Sequence, residues 1–531
     1  MGGLAEQIHL LYQNKEYQKI IETVEALPEN QQTTELIFML ARAYNACNYS
    51  AVPSIDSAVA GAQDTLGRYR AITQIQAAAD HALAERALNL LLSLKETLAG
   101  DHEWNLEVGI SCFYLGWDGE ALPYFEQALA DCPGDKSIEE YIDICRNHMA
   151  CPGHLNPFRV RTMEAWQAFT DREADLRSLM DRAKTENVSE ELVARCSEIL
   201  TLAFDAPAFE LGFNGEKYDL ILSPEGDRVR LFQLAYFAKC APESIRKYWN
   251  IIIGRPAFAK YVMRMHGLEV EAKDFQAWIE IQGEKKFELS LYCEKLLPML
   301  RENENNAYSL AYIFVDQVLG EIASMRYVTN MKLLTAPNTG ECLPLSDVPD
   351  FIKNKLDPEG WAKAADPETA CESWTGYRSN PSRAENCPLR ADVIAGMTCC
   401  LPLINAYFGN DNYYMDRLHR DGAVPGFFFW SLDGFGKEDI LPFRDQIEAA
   451  VLQKAGAAAV TFTGGATGEV YGYLDFIAWD LPAVINAARE VMSAAPVKTA
   501  GFHTFRMDAY EVGLLRLSEA DISALGANFK V

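Results

Sequence analysis

The stretch Glu103–Gly134, EWNLEVGISCFYLGWDGEALPYFEQALADCPG, decides how the amino-terminal part of the chain folds. Leu106, Gly109, Ile110 and Phe113 recur at three- and four-residue spacing, so they share one face of a first helix. Gly109 falls in mid-helix, where it costs about 1 kcal/mol against alanine. A helix carries that cost when a neighbour must come close. Gly116 and Gly119 punctuate a turn. Ala121, Tyr124, Phe125, Ala128 and Leu129 form the inward face of a second helix. Small Ala121 and Ala128 admit the first helix, and Phe125 fills the gap between them. Pro133 and Gly134 end the unit.

This order of small, aromatic, small and proline residues resembles the tetratricopeptide repeat (TPR), whose period is about 34 residues. Trp104 stands one place from the repeat's large aromatic, and Cys112 stands where tyrosine is commoner. Residues 1–150 therefore read as a TPR-like helical repeat domain. Tyr17, Ile20, Val24 and Leu27 resemble the second helix of an earlier repeat, and Leu40, Ala41 and Tyr44 the first helix of the next. From Ser50 to Asp101 the pattern is irregular. SIEEYIDICRNHM closes the array with the polar Glu139, Glu140, Asp143 and Arg146 that solubility requires. In such arrays the first helices line a groove suited to an extended or helical peptide. On that lattice Arg42, Asn45, Leu106, Ile110 and Phe113 face the groove, and a protein or peptide partner is expected there. The competing expectation is that the middle of the chain fills it.

Cys151-Pro-Gly-His-Leu-Asn-Pro157 breaks the pattern and marks a boundary. Residues 158–337 then read as an α+β domain. Two helices, Glu164–Lys184 and Ser189–Phe204, precede strands joined at Asn214-Gly215, a hairpin signal. After the helix RLFQLAYFAKCAPESIRKY come the apolar strand YWNIIIGRP, a second hairpin around Gly283-Glu284, a long helix Asn305–Tyr327 and the strand MKLLTAP. Helices on one face of a largely antiparallel sheet are expected. Residues 338–385, rich in Pro, Asp, Glu, Asn and Ser, read as a loosely structured connecting segment with short helices. Residues 386–531 follow the order β-α-β-β-α-β in VPGFFFWSL, ILPFRDQIEAAVLQKAG, AVTFTGG, YGYLDFIAWD, LPAVINAAREVMSAA and VKTAGFHTFRM. That is the ferredoxin-like order, which leaves one sheet face open. DVIAGMTCC reads as a further strand and NDNYYMDRLHRDG as a helix.

The 531 residues suffice for roughly three domains. A formal net charge of −27 repels a nucleic-acid backbone and favours a basic or neutral partner. No apolar run approaches the roughly 18 residues of a membrane span, and MGGLAEQIHLLYQNK lacks the charged-then-apolar pattern of a signal peptide. The 13 cysteines are scattered without a CxxC pair, as reduced thiols of a cytoplasmic protein would be. Neither nucleic acid nor membrane is expected as a partner, and nothing in the sequence sets the oligomeric state.

Candidate chemistry is sparse. In Thr463-Gly-Gly-Ala-Thr-Gly468 glycines offer backbone N–H groups to an anion. A P-loop, however, joins a strand to a helix and needs a lysine where Glu469 stands, so the stretch reads as a hairpin turn. Gly464, Gly465, Thr467 and Gly468 with Asp475 remain the alternative ligand loop, for a small anionic or nucleotide-like molecule. Leu418-His-Arg-Asp-Gly422 matches the kinase catalytic loop only by chance, since its companion motifs are missing; with Asp416 and Arg417 it reads as a solvated helix end. Asp480 before Leu481-Pro482 reads as an N-cap, whereas Asp475 is out of place in an aromatic strand. His503 reads as a core histidine, and Cys151 with His154 lacks further zinc ligands. Glu210, Asn214, Glu216, Lys217, Trp249, Arg255 and Trp278 suit an interface and equally suit packing between sheet and helices. No catalytic residue, metal or cofactor is expected.

ALNLLLSLKETL, LGWDGEALPYFEQALADCPGD, FELGFNGEKYDLILSPEGD, LYCEKLLPML, LHRDGAVPGFFFWSLDGF and TGGATGEVYGYLDFIAWDLP make nearly the whole chain resemble a group of bacterial TPR proteins of unassigned function. The resemblance implies repeats joined to α+β domains and carries over no site residue. By architecture alone, such joined repeats are similar to acidic immunity proteins that neutralise secreted toxins. The expectation is thus a protein-binding scaffold using a TPR groove, with a ligand-binding or hydrolytic enzyme and an immunity protein as alternatives.

Overall fold

The computed structural model describes residues 2–60, 65–152, 156–183, 185–265, 268–283, 285–382 and 388–515. The chain forms two compact units, one from Met1–Arg159, Arg378–Gly396 and Leu403–Val531, the other from Val160–Tyr377 and Met397–Pro402. The segments expected as separate amino- and carboxyl-terminal domains therefore belong to one unit.

That unit begins with helices α1 (Gly2–Gln13), α2 (Tyr17–Glu25), α3 (Thr34–Ala51), α4 (Ile55–Val59), α5 (Thr65–Ala78), α6 (His81–Ser93), α7 (Lys95–Leu98), α8 (His102–Tyr114), α9 (Asp118–Asp131) and α10 (Lys136–Ala150). Thr33, Asp80, Asp101 and Asp135 cap four of them by accepting from backbone N–H groups of the first turn. α3 packs on α6, and α8 lies between α6 and α9. The close approach expected of Gly109 is made by Phe125, whose ring would lie 2.7 Å from a Cβ added there. Trp104 Nε1 donates to the Leu91 carbonyl at 2.8 Å and ties α8 to α6. α4 and α5 interrupt the hairpin series: Ile72 and Ile75 enter the array's core, and Gln76 donates to Asp118 at 3.1 Å.

The same unit carries strands β1 (Val393–Thr398), β2 (Val424–Ser431), β3 (Val460–Gly468), β4 (Tyr471–Ala478), β5 (Ala500–Thr504) and β6 (Val512–Gly513), in the order β1-β3-β4-β2-β5-β6. β2 runs antiparallel to both β4 and β5, and β3 antiparallel to β4. Helices Ile440–Ala455 and Leu481–Ser493 pack on one face over Phe428, Trp430, Leu474, Phe476 and Phe502. The other face is not open, in correction of the expectation. All eight residues of β2 are buried, and Tyr407, Phe505 and Arg390 lie over Phe427 on that side. A strand that alternates apolar with apolar is buried on both faces.

Among the described residues the second unit holds three small sheets rather than one largely antiparallel sheet. Strands Phe209–Phe213 and Tyr218–Leu222 form the expected hairpin, with Gly215 at φ 100° and Asn214 Oδ1 accepting from the Glu216 and Lys217 N–H groups at 2.9 and 2.8 Å. Strand Trp249–Ile253 joins it in parallel. Hairpin Gln276–Gln282 with Lys286–Tyr292 is likewise joined in parallel by Val328–Leu333; Glu284 of its turn lies outside the described residues. The long helix breaks at Gly320, φ 80°, into Glu304–Leu319 and Glu321–Tyr327. The connecting segment is anchored rather than loose, since Leu345, Val348 and Ile352 are fully buried against Phe314 and Val318.

Candidate functional site

The five groove positions do not share one open surface. Asn45 is 3% exposed and its Nδ2 donates to Glu107 Oε2 at 2.8 Å and to the Glu107 carbonyl at 3.0 Å. Ser111 Oγ donates to Asn45 Oδ1 at 3.0 Å, so the amide is spent between α3 and α8. Phe113 is fully buried against Tyr141 of α10, with ring centroids 5.2 Å apart. Both are corrections to the groove expectation, because their helices turn these side chains toward neighbours within the array. Burial pushes the Glu107 carboxyl above its ordinary value, against the pull of Asn45 and Arg42.

Arg42, Leu106 and Ile110 keep partial exposure. Arg42 Nη1 donates to Glu103 at 2.7 Å and Nε to Glu107 at 3.1 Å. Its guanidinium lies 4.7 Å from the Tyr12 ring centre and 5.7 Å from that of Phe38. A fixed arginine between aromatic rings, with half-buried aliphatic neighbours, is the composition of an interface anchor.

The glycine-rich stretch is strand, not loop: Thr463–Gly468 lie within β3, with a register shift between Phe462 and Gly464. Its glycines admit the chain's own groups. A Cβ on Gly465 would meet the Tyr473 carbonyl at 2.5 Å, and one on Gly468 would run into Asp392. Arg444 donates to the Ala466 carbonyl at 2.8 Å and to Thr467 Oγ1 at 2.9 Å. The N–H groups of Val470 and Tyr471 donate to Asp392 Oδ2 at 2.9 Å. The anion that this turn cradles is thus a carboxylate of the chain itself.

Asp475 is fully buried and paired with fully buried Arg390, Nη1 to Oδ1 at 2.5 Å and Nη2 to Oδ2 at 3.3 Å. The guanidinium sits 4.9, 5.1 and 5.4 Å from the ring centres of Phe427, Tyr473 and Phe505. Tyr473 Oη accepts from the Arg390 N–H at 2.9 Å and donates to Asp392 at 2.5 Å. This network pins Arg390–Asp392 onto the sheet. The sequence signal for it was Asp475 itself, since a carboxylate in an aromatic strand requires a buried cation; nothing local named Arg390 as that cation.

The remaining candidates are structural. Asp480 caps its helix, accepting from the Ala483 N–H at 3.2 Å. His503 faces the Thr504 and Ala509 carbonyls at 2.6 and 3.1 Å, and burial holds its pKa down. His419 and Arg420 end the helix Tyr413–Arg420, and Asp421 is buried after it rather than solvated. Burial pushes the Cys151 thiol up to about 11, and His154 lies outside the described residues. Trp249 donates to Glu173 at 3.0 Å, and Arg255 donates to Glu210 at 2.5 Å. A surface hollow of about 250 Å³ in the second unit includes Arg246, whose guanidinium already serves the Ala238 and Ala241 carbonyls. Among the described residues no three His, Cys, Asp or Glu side chains are placed to hold a metal ion, and no helix is long and apolar enough to cross a membrane.

Fold and sites together define a mixed α/β protein with amino-terminal helices and a carboxyl-terminal sheet. Comparison with protein-family models, curated proteins and solved structures returns no match.

Proposed function

We propose that the chain is a protein-binding module that uses its helical array and catalyses no reaction of its own. The reading takes α8 and α9, joined at Gly109 and Phe125, as a TPR-like hairpin. It takes β2 to β5 with their two helices as a ferredoxin-like scaffold, supported by the antiparallel order β3-β4-β2-β5. The observation that carries the function is Arg42, fixed by two glutamates between Tyr12 and Phe38 and beside half-buried Leu106. The docking surface is therefore a patch rather than a long groove. With a net charge of −27, the favoured partner is a neutral or basic protein or peptide. Free thiols throughout the described residues suit a reducing, cytoplasmic setting.

The test is photo-crosslinking from p-benzoylphenylalanine placed at Ile110. A discrete adduct with a neutral or basic protein is expected. The pair Phe38→Ala and Leu106→Ala leaves the Arg42 ion pairs in place and lowers the adduct yield about tenfold, as the loss of roughly 1.4 kcal/mol of anchor contact requires. Equal yields in the two chains would refute the patch.

A further inference from the structure

The three-stranded sheet of the second unit ends on Phe209–Phe213, and among the described residues no strand pairs with its outer side. The hairpin's own hydrogen bonds fix which backbone groups face that side. The Ser223 N–H donates to the Ala208 carbonyl at 2.9 Å, and the Asn214 N–H to the Lys217 carbonyl at 3.1 Å. Bonded and non-bonded pairs alternate along an antiparallel ladder. Ala208, Glu210, Gly212 and Asn214 therefore turn their backbone groups inward to the partner strand. Phe209, Leu211 and Phe213 turn theirs to the open edge.

That edge lacks the usual devices against pairing. It holds no proline and no lysine, and its register runs without a bulge. Its one charge, Glu210, is taken up by Arg255, whose Nε donates to it at 2.5 Å. Phe213 is 44% exposed, and Phe209 and Leu211 are half-buried. These three side chains share a face with Tyr218, Leu220 and Leu222, the residues paired with them. On that face an aromatic row crosses the sheet. Trp249 and Tyr218 have ring centroids 5.3 Å apart, and Tyr218 and Phe213 5.2 Å, so the row reaches the open edge at Phe213.

We propose that this edge pairs with the same edge of a second copy, antiparallel about a two-fold axis at Leu211, to make one six-stranded sheet. The strand is self-complementary in that register. Leu211 lies opposite Leu211 of the second copy and exchanges both backbone bonds with it. Phe209 lies opposite Phe213 in the same way, so outward residues meet outward residues throughout. Phe209 of the second copy prolongs the row of Trp249, Tyr218 and Phe213. Glu210 lies opposite Gly212, where no like charge meets it and Arg255 keeps its place. An axis at Glu210 would set Glu210 against itself, and like charges directly opposite are destabilising. An axis at Gly212 would leave Phe209 opposite the turn residue Gly215. A two-fold contact is closed, so this pairing ends at two copies.

The experiment is sedimentation equilibrium of the full chain over a concentration series, with amide hydrogen exchange at its two ends. The average mass is expected to rise toward twice that of one chain. Over the same series the Phe209 and Leu211 amides gain protection by about tenfold or more, while those of Glu210 and Gly212, bonded within the hairpin, change little. Leu211→Pro deletes the donor at the axis, and proline is tolerated on an edge whose N–H faces outward. It is expected to weaken association about tenfold or more, since the axis makes both copies lose that bond. A mass that stays at one chain throughout the series overturns the proposal and leaves the edge to a strand of another protein. A dimer in which the Phe209 and Leu211 amides exchange as they do at low concentration overturns it too, as does a folded Leu211→Pro chain that pairs like wild type. Should Leu211→Pro fail to fold, the wild-type exchange pattern decides alone.

Discussion

Asp475→Ala is expected to destabilise the sheet by about 3–5 kcal/mol, the cost of removing one partner from a buried ion pair. Arg390 does not shed its proton at any accessible pH. With Asp475 gone, a charge at 0% exposure loses both of its bonds to that carboxylate. The damage spreads, because Arg390 and Asp392 anchor the same short segment, and Asp392 holds the Val470 and Tyr471 amides. Hydrogen exchange of the β2–β4 amides reads the effect: at 1.36 kcal/mol per tenfold, exchange rises by roughly two to three and a half orders of magnitude. The pair Arg390→Met with Asp475→Leu is expected to restore most of the protection, since an apolar replacement of a buried pair is often neutral. A single variant that loses less than about 1 kcal/mol would mean that water or a rearranged carboxylate reaches Arg390.

What the sequence disclosed follows the range of the forces involved. Gly109, Ala121 and Phe125 lie close in sequence and meet in adjacent helices, so their spacing reveals their packing. The strands around Phe428 and Phe476 and the turn at Asn214-Gly215 were legible for the same reason: apolar runs end at residues that favour turns. Groove exposure was not legible. It depends on partners in other helices, since Asn45 is bonded to Glu107 and Ser111 of α8 and Phe113 packs on Tyr141 of α10. Parallel pairing of Trp249–Ile253 and of Val328–Leu333 was missed because the partner strand lies across a helix in the chain. The glycines of β3 looked like a ligand's cradle because glycine reports only that something comes close; Asp392, Arg444 and the Tyr473 carbonyl are what come close. Arg390, Asp392 and Glu107 went unnamed because each finds a partner far along the chain.

Glu321→Ala is expected to cost the second unit about 3–4 kcal/mol, through orphaned donors rather than through a lost ion pair. Glu321 follows the Gly320 break and is fully buried. Oε1 accepts from Ser223 Oγ at 2.7 Å and from the Glu225 N–H at 2.8 Å, and Oε2 accepts from the Arg255 N–H at 3.0 Å. Two of these donors are backbone groups, and one belongs to Glu225, held at φ 53° where a non-glycine residue is strained. The side chain therefore fastens two loops of the three-stranded sheet to the start of a helix, where acceptors for outward N–H groups are scarce. The Arg255 guanidinium is a weak contributor: its Nη1 is 3.7 Å from Glu321 and its side chain is 26% exposed, so water screens it. Arg255→Gln is accordingly expected to cost at most about 1 kcal/mol, and Glu321→Ala several times more, by urea unfolding of the full chain followed at the amides of Trp249–Ile253. If the two substitutions cost the same, the ion pair holds the loops and the backbone donors find other acceptors. If Glu321→Gln matches wild type, a single carbonyl oxygen suffices and the charge contributes nothing to the fastening.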